Sequence, residues 1–307
     1  MVPPEVNHGM SRPIPPLPRL MRNTVLPGHA ACHGCPITMG LKVVGAAFGN
    51  KVILVVPACC TSVVVGAYPG NAFNGSIVHV AFASAAAVAS GIAEGLRKRG
   101  IKDVQVIAWA GDGGTADIGM ASLSGAAERN HDFIYIMYDN EAYMNTGIQR
   151  SSATPQGAWT TTTPLGKREP KKDVARIMIA HGVPYVATAS VGYPHDFYAK
   201  LKRAASIRGF KFIYLHAPCP TGWRFDPALT VKIAKLAVET GLVVLYEYYD
   251  GHIHLSGPSR PYMDKSRRKP IMEYLRLQGR FKGVTEEHVK AIEKYVDELW
   301  DWIKRHM

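Results

Sequence analysis

Short hydrophobic runs rich in β-branched residues alternate along this chain with longer amphipathic or small-residue stretches. Val52–Val56 reads as a buried strand closed by Pro57. Ala83–Arg99 reads as a helix ending at Gly100, and Val104–Ala110 as a strand running into Gly111-Asp112-Gly113-Gly114. A helix is predicted over Ile118–Arg129 and a strand over Phe133–Asp139. Strand, glycine-rich turn, helix and strand form a βαβ unit, which implies an α/β fold with a doubly wound parallel sheet.

The pattern then breaks. Asn140 to about Lys172 carries no periodicity and contains Ser151-Ser152-Ala153-Thr154-Pro155 and the run Thr160–Thr163. Loops of this length inside a compact domain are usually functional. Alternation resumes with a strand near Pro184–Ala189, a helix near Pro194–Ile207 and a strand Phe210–Leu215, leading into His216-Ala217-Pro218-Cys219-Pro220. Beyond Trp223 the pattern loosens, with Pro258, Pro261 and Pro270 as punctuation. Thr285 caps a last helix, in which Val289, Ile292, Val296, Leu299 and Ile303 line one face. The expected organisation is a proline-rich arm over 1–27, an α/β domain over 28–223, and a C-terminal arm with an amphipathic helical extension over 224–307.

Composition narrows the class. The chain has 307 residues, 47% of them hydrophobic, enough for a full α/β core. Val52–Gly66 is interrupted by Pro57 and two cysteines, and Val78–Ala93 is built largely of small residues, so neither reads as a membrane span. No charged-then-apolar signal pattern opens the sequence. The expectation is a soluble, cytoplasmic protein with no membrane partner. The formal charge of +12 is large, but apart from short runs such as Arg97–Arg99 and Lys265–Lys269 it is dispersed. No nucleic-acid module accompanies it, so a zinc-stabilised basic nucleic-acid-binding protein is a distant alternative. A solvated basic surface, or a docking face for acidic partners, accounts for the charge.

Two groups of residues carry candidate chemistry. Gly111-Asp112-Gly113 is followed by Asn140, 28 residues after Asp112. A magnesium diphosphate site needs a carboxylate at a strand end, glycines that let backbone approach phosphate, and further oxygens from the neighbouring strand. Gly-Asp-Gly alone is a common turn. The full strand–turn–helix–strand spacing favours a thiamine diphosphate site. The second group is Cys32, Cys35, Cys59, Cys60 and Cys219. Cys32-x-x-Cys35 has the spacing with which two thiolates grip one metal centre. Residue type and spacing leave a disulfide, a structural zinc and an iron–sulfur cluster open.

The runs Gly111–Gly119 and Tyr138–Arg150, with Ser151–Pro164 added, resemble the thiamine-binding motifs of 2-oxoacid:ferredoxin oxidoreductases, most closely the pyruvate branch. The resemblance covers about Gly28 to Cys219. It implies the diphosphate-domain type of thiamine-binding fold, in which Asp112, the Asn140 side chain and the Ala142 main-chain oxygen hold Mg²⁺. Gly111 and Gly113 would then lie against the cofactor, and Asn145 near its reactive ring. It also implies a 4Fe-4S cluster on Cys32, Cys35, Cys60 and Cys219. Family members have a third cysteine 28 residues after the first, as Cys60 is after Cys32. Cys60-Thr61-Ser62 matches that segment, and Cys219 follows Ala217-Pro218 as the fourth ligand does. Cys59 is left as a buried spare, on the expectation that strand-like geometry turns neighbouring side chains apart. His29, His33, His79 and His216 are expected to be structural.

The activity so implied is pyruvate + CoA + oxidised ferredoxin giving acetyl-CoA + CO₂ + reduced ferredoxin, reversibly. Branched-chain, 2-oxoglutarate, indolepyruvate or oxalate substrates are alternatives. The carboxylate that activates the aminopyrimidine lies on a separate domain in the family. Expected partners are therefore an α subunit carrying it, γ and ferredoxin-like δ subunits or their fused equivalents, and ferredoxin.

Overall fold

The computed structural model describes residues 24–307; nearly all of the expected N-terminal arm, 1–27, lies outside the described residues. Eight strands form one sheet: β1 (Val52–Pro57), β2 (Ser76–Val80), β3 (Gln105–Gly111), β4 (Ile134–Asp139), β5 (Tyr185–Ser190), β6 (Lys211–His216), β7 (Tyr246–Tyr249) and β8 (His252–Leu255). Their order is β2-β1-β3-β4-β6-β5-β7-β8. The first six are mutually parallel, while β7 and β8 add antiparallel at one edge. The expected parallel, doubly wound α/β sheet is therefore present.

Alternation along the strands builds two cores from one sheet. Leu54, Ile107, Trp109, Ile136 and Ile213 face α1 (Pro36–Phe48) and a later helix, Pro194–Ser206. Val55, Ala108, Ala110, Tyr135, Met137 and Phe212 face the helices Ala85–Lys98, Met120–Glu128 and Val174–Ala180. Ala85, Ala86, Ala89 and Ala93 are buried in the first of these. Their small side chains let the helix axis approach the sheet closely.

The chain leaves β1 toward β2 on one side, then returns to place β3 on the other. A sheet of this kind opens a crevice at the carboxyl ends of its strands, where the winding reverses. The register sets Gly111 opposite Tyr138 and Asp139 opposite His216. The segments leaving β1, β3, β4 and β6 therefore start from one edge.

Besides β2 and the helix Val174–Ala180, which were not foreseen, three parts of the chain depart from the sequence reading. Cys60–Val65 is a short helix, α2, with Cys59 as its extended N-cap (φ −168°), so the two cysteines are separated by a helix start and not by strand alternation. α1 was not foreseen, because Ile37, Leu41, Val43 and Val44 are buried on several sides and blur the helical period. The segment 224–307 is no arm. It holds the helix Thr230–Glu239, both antiparallel strands and the short helix Ile271–Leu275 ahead of the final helix Glu286–Arg305. Strands of four residues are too short to show alternation against a proline-punctuated background. The final helix is capped by Thr285, and Ile292, Val296, Leu299 and Ile303 of its expected stripe are buried.

That helix is part of the core. Trp300 is 1% exposed, packs with Val244, Tyr246 and Ile253, and donates its indole N–H to the Gly241 carbonyl at 3.0 Å. Trp300→Ala should cost about 3–5 kcal/mol, read as a lowered denaturant midpoint. An unchanged midpoint would mean that the helix is an appendage.

Candidate metal and cysteine site at the carboxyl edge of the sheet

Asp112 follows the last residue of β3 and is buried. Glycines on either side permit close packing: a Cβ on Gly113 would stand 2.3 Å from the Tyr143 ring, and one on Gly111 3.2 Å from the Tyr138 hydroxyl. Gly113–Asp117 is a wide π-helical turn, and its Thr115 hydroxyl donates to the Gly111 carbonyl at 2.7 Å.

Asn140, after the end of β4, meets Asp112 across the two strands. One end of its carboxamide lies 2.8 Å from Asp112 Oδ1 and 2.9 Å from the Ala142 carbonyl oxygen. If that end is the NH₂, it donates to both. If it is the oxygen, three oxygens converge on one point. Magnesium holds oxygens octahedrally at about 2.1 Å, which puts adjacent ligands about 3 Å apart. In that orientation the two observed separations match that edge, and Asp112, Asn140 and Ala142 could hold a hard cation. Electrostatics point the same way. Burial drives the Asp112 carboxyl well above its ordinary range, and the charge of Asp139 pushes it further. A site that strains to keep a carboxylate ionised is relieved by a divalent cation.

The long loop completes this side. The Ser151 hydroxyl donates to Asp112 Oδ2 at 2.5 Å. Asp117 accepts from the Tyr143 hydroxyl at 2.8 Å and from the Ser152 amide at 3.1 Å. Lys167, 1% exposed, donates to the carbonyls of Thr154, Ser152 and Pro170 at 2.7, 3.0 and 3.2 Å. Burial brings its pKa down to about 8. Asn145 stands exposed three residues past Ala142, on the rim of the same loop.

None of the five cysteines forms a disulfide. Burial pushes the Cys35 thiol up to about 11, with contributions from Cys219 and Cys32. Burial also raises Cys60, and Cys219, Cys59, Cys35 and Asp112 add to it. Cys219 is raised by burial and by Cys32. Cys35, Cys60 and Cys219 are thus electrostatic neighbours, with Asp112 close to Cys60 and the exposed Cys32 close to Cys35 and Cys219. Cys59 is raised by burial too, yet its hydrogen-bonding neighbours are Tyr138, Ser62 and Thr61. Among the described residues, no three His, Cys, Asp or Glu side chains are grouped tightly enough for a single metal ion. Four neighbouring thiols could hold a polynuclear centre, whose positive charge would offset the repulsion between thiolates.

Several participants carried no sequence signal. The Trp223 indole N–H donates to the Asn140 carbonyl at 2.7 Å, and the Arg280 guanidinium stacks on Trp223 at 3.6 Å. Lys171 bridges Asp139 and Glu141 at 2.5 and 2.6 Å. Ser151 could have been found, because it lies in the loop singled out as functional. Arg280 could not, being 139 residues from its partner Glu141. His216, expected to be structural, is placed in the interior but without the hydrogen-bond partners a buried histidine usually has. It is fully buried against Trp223, with neither ring nitrogen partnered among the described residues, and burial lowers its pKa to about 3.

A parallel sheet with this constellation at its carboxyl edge defines a thiamine-binding enzyme domain, and residues 58–215 match the family described as thiamine pyrophosphate enzyme, C-terminal TPP binding domain. The chain is 52% identical over 288 residues to ketoisovalerate oxidoreductase subunit VorB of Pyrococcus horikoshii, covering 91% of each. It is also 52% identical over 278 residues to pyruvate synthase subunit PorB of Methanothermobacter marburgensis, covering 89% of this chain and 94% of that one. Among solved structures, 2-oxoglutarate:ferredoxin oxidoreductase from Magnetococcus marinus shares the fold, with a TM-score of 0.57 and 24% identity over 70% of this chain and 80% of that one. The chain belongs to the 2-oxoacid:ferredoxin oxidoreductase family, as a β subunit carrying the thiamine-binding domain.

The division between the two neighbouring cysteines can be tested directly. Cys60→Ser should lower the iron-to-protein ratio and visible absorbance of anaerobically purified protein, and Cys59→Ser should leave both near the parent values. The reverse pattern would move the ligand to Cys59.

Proposed function

We propose that this chain is the thiamine diphosphate-, Mg²⁺- and 4Fe-4S-binding β subunit of a complex that converts pyruvate, CoA and oxidised ferredoxin to acetyl-CoA, CO₂ and reduced ferredoxin, reversibly. What supports the reading is the approach of the Asn140 carboxamide to Asp112 and to the Ala142 carbonyl at one sheet edge, with Cys35, Cys60 and Cys219 nearby. When bound, thiamine diphosphate supplies the nucleophilic carbon that cleaves the 2-oxoacid, and an iron–sulfur cluster takes up electrons singly.

The residues of this chain do the rest of the work on their side. Asp112 would supply the neutralising charge and Asn140 an amide oxygen to the metal, while the glycines at 111 and 113 let the turn pack closely against Tyr138 and Tyr143. Ser151 holds Asp112 in register by its hydroxyl bond. Cys32, Cys35, Cys60 and Cys219 hold the cluster, and Asn145 lies on the loop rim where substrate would approach. A cytoplasmic location goes with this oxygen-sensitive chemistry.

Branched-chain specificity is a second reading, favoured by 52% identity to the ketoisovalerate subunit. The diphosphate side of the pocket is common to both, so the choice of acyl group rests partly on partner subunits.

Asp112→Ala should abolish retention of thiamine diphosphate by the purified complex while iron stays near normal; full cofactor occupancy in the variant would remove Asp112 from the site. The chain alone, given pyruvate, CoA, thiamine diphosphate and Mg²⁺ anaerobically, should neither decarboxylate nor reduce an electron acceptor, because the aminopyrimidine-activating carboxylate belongs to its α partner. Adding the α, γ and δ partners should give turnover with pyruvate in excess of 2-ketoisovalerate. The opposite preference would select the branched-chain reading, and turnover by the chain alone would overturn the split site.

A further inference from the structure

Between the two residues that offer Asn140 and Ala142 oxygens to one point lies Glu141, and its backbone is left-handed, with φ 66°. This turn lets a side chain and the carbonyl two residues on face the same spot. A residue with a Cβ pays for that conformation, and glycine would adopt it freely. A glutamate here implies that the side chain contributes what glycine cannot.

Its surroundings show how. Glu141 is 3% exposed, with Oε1 2.6 Å from Lys171 Nζ and Oε2 2.6 Å from an Arg280 guanidinium nitrogen. The backbone is gripped at both ends as well. Its N–H donates to Asp139 Oδ1 at 2.9 Å, and its carbonyl accepts the Thr154 hydroxyl at 2.6 Å.

Arg280 acts twice on this turn. Besides pairing with Glu141, it stacks on Trp223, whose indole N–H fixes the Asn140 carbonyl. It is itself set by Gln278, which accepts from its Nε at 2.9 Å, and its carbonyl accepts the Trp159 amide at 2.9 Å. A segment near the C-terminus therefore grips both residues on either side of the Asn140–Glu141 peptide.

We infer that Glu141 and Arg280 are positioning residues for the divalent cation: the buried ion pair locks the left-handed turn that aims Asn140 and Ala142, and so sets metal affinity. This rests on the reading of Asp112, Asn140 and Ala142 as the cation's ligands. Neither residue is among the ligands so read: the Glu141 carboxylate is taken up by Lys171 and Arg280. Their effect is on how much metal is needed, and the chemistry at saturation is left as it was.

The test uses the assembled complex, stripped of divalent metal and titrated with Mg²⁺ at fixed thiamine diphosphate. Cofactor retention is measured first, then turnover. Arg280→Met should raise the Mg²⁺ needed for half-maximal retention by about tenfold or more, the range typical for groups that orient metal ligands. Turnover at saturating Mg²⁺ should return to near the parent value. Mn²⁺ bound in place of Mg²⁺ should show an altered paramagnetic resonance spectrum, which a merely stabilising ion pair would not change. Should Arg280→Met fail to assemble, the pair Glu141→Gln with Arg280→Met removes both buried charges together, leaves Lys171 on Asp139, and should show the same shift. An unchanged Mg²⁺ midpoint in an assembled variant overturns the inference while sparing the metal site. A parent complex that retains cofactor with no divalent cation overturns both.

Discussion

The carboxyl edge of this sheet is organised around the close approach of one end of the Asn140 carboxamide to Asp112 Oδ1, at 2.8 Å, and to the Ala142 carbonyl, at 2.9 Å. Asp112, Asn140 and the Ala142 carbonyl arrive from the ends of two adjacent parallel strands. Each arrives on a backbone that has few alternatives: a glycine-flanked turn on one side, a left-handed residue on the other. In the proposed reading a cation would join these groups by coordination. Hydrogen bonds from Ser151 to Asp112, from Trp223 to the Asn140 carbonyl and from Thr154 to the Glu141 carbonyl hold the two segments in place.

The winding of the sheet explains why cysteines gather at the same edge. Cys59 and Cys60 follow β1, and Cys219 follows β6, so both sets leave the sheet where Asp112 and Asn140 leave β3 and β4. Cys32 and Cys35 come from the segment before α1, whose N-terminus begins at Pro36. Three segments far apart in sequence thus meet with no special long-range device beyond strand order. The extended N-cap at Cys59 turns its thiol toward Tyr138, and the helix start at Cys60 turns the next toward the other cysteines.

What could be read in the sequence was local or periodic. β1, β3, β4, β5 and β6 announced themselves through β-branched runs, and Asp112 and Asn140 through their strand-end positions. The loop 140–172 was visible as a gap in periodicity, and it holds Ser151, Lys167 and Lys171. What escaped was of two kinds. α1, β2, β7 and β8 are too short or too evenly buried to show a period. Trp223 and Arg280 act through contacts fixed only when residues 220–281 pack onto the loop. The reading of 224–307 as an arm failed for the same reason: Ile233, Leu236, Tyr274 and Phe281 are scattered in sequence and become one core with Trp223 only in three dimensions.

That core joins the two halves of the site into one body. Cys219 caps the four-residue helix Pro220–Trp223, so a single helical turn begins at a thiol and ends at the indole that fixes Asn140. Gly222 within it donates its amide to Cys219 Sγ at 3.4 Å. A Cβ there would stand 2.0 Å from Met144 Sδ, a side chain of the same loop that carries Ala142 and Asn145. A shift on the cysteine side therefore presses on the metal loop, and the reverse holds as well. In the proposed reading, electron transfer between two centres would call for a fixed separation. Close packing of one glycine, one methionine and one tryptophan joins the two sides, and it resists small displacements far more stiffly than a hinge or an exposed loop would.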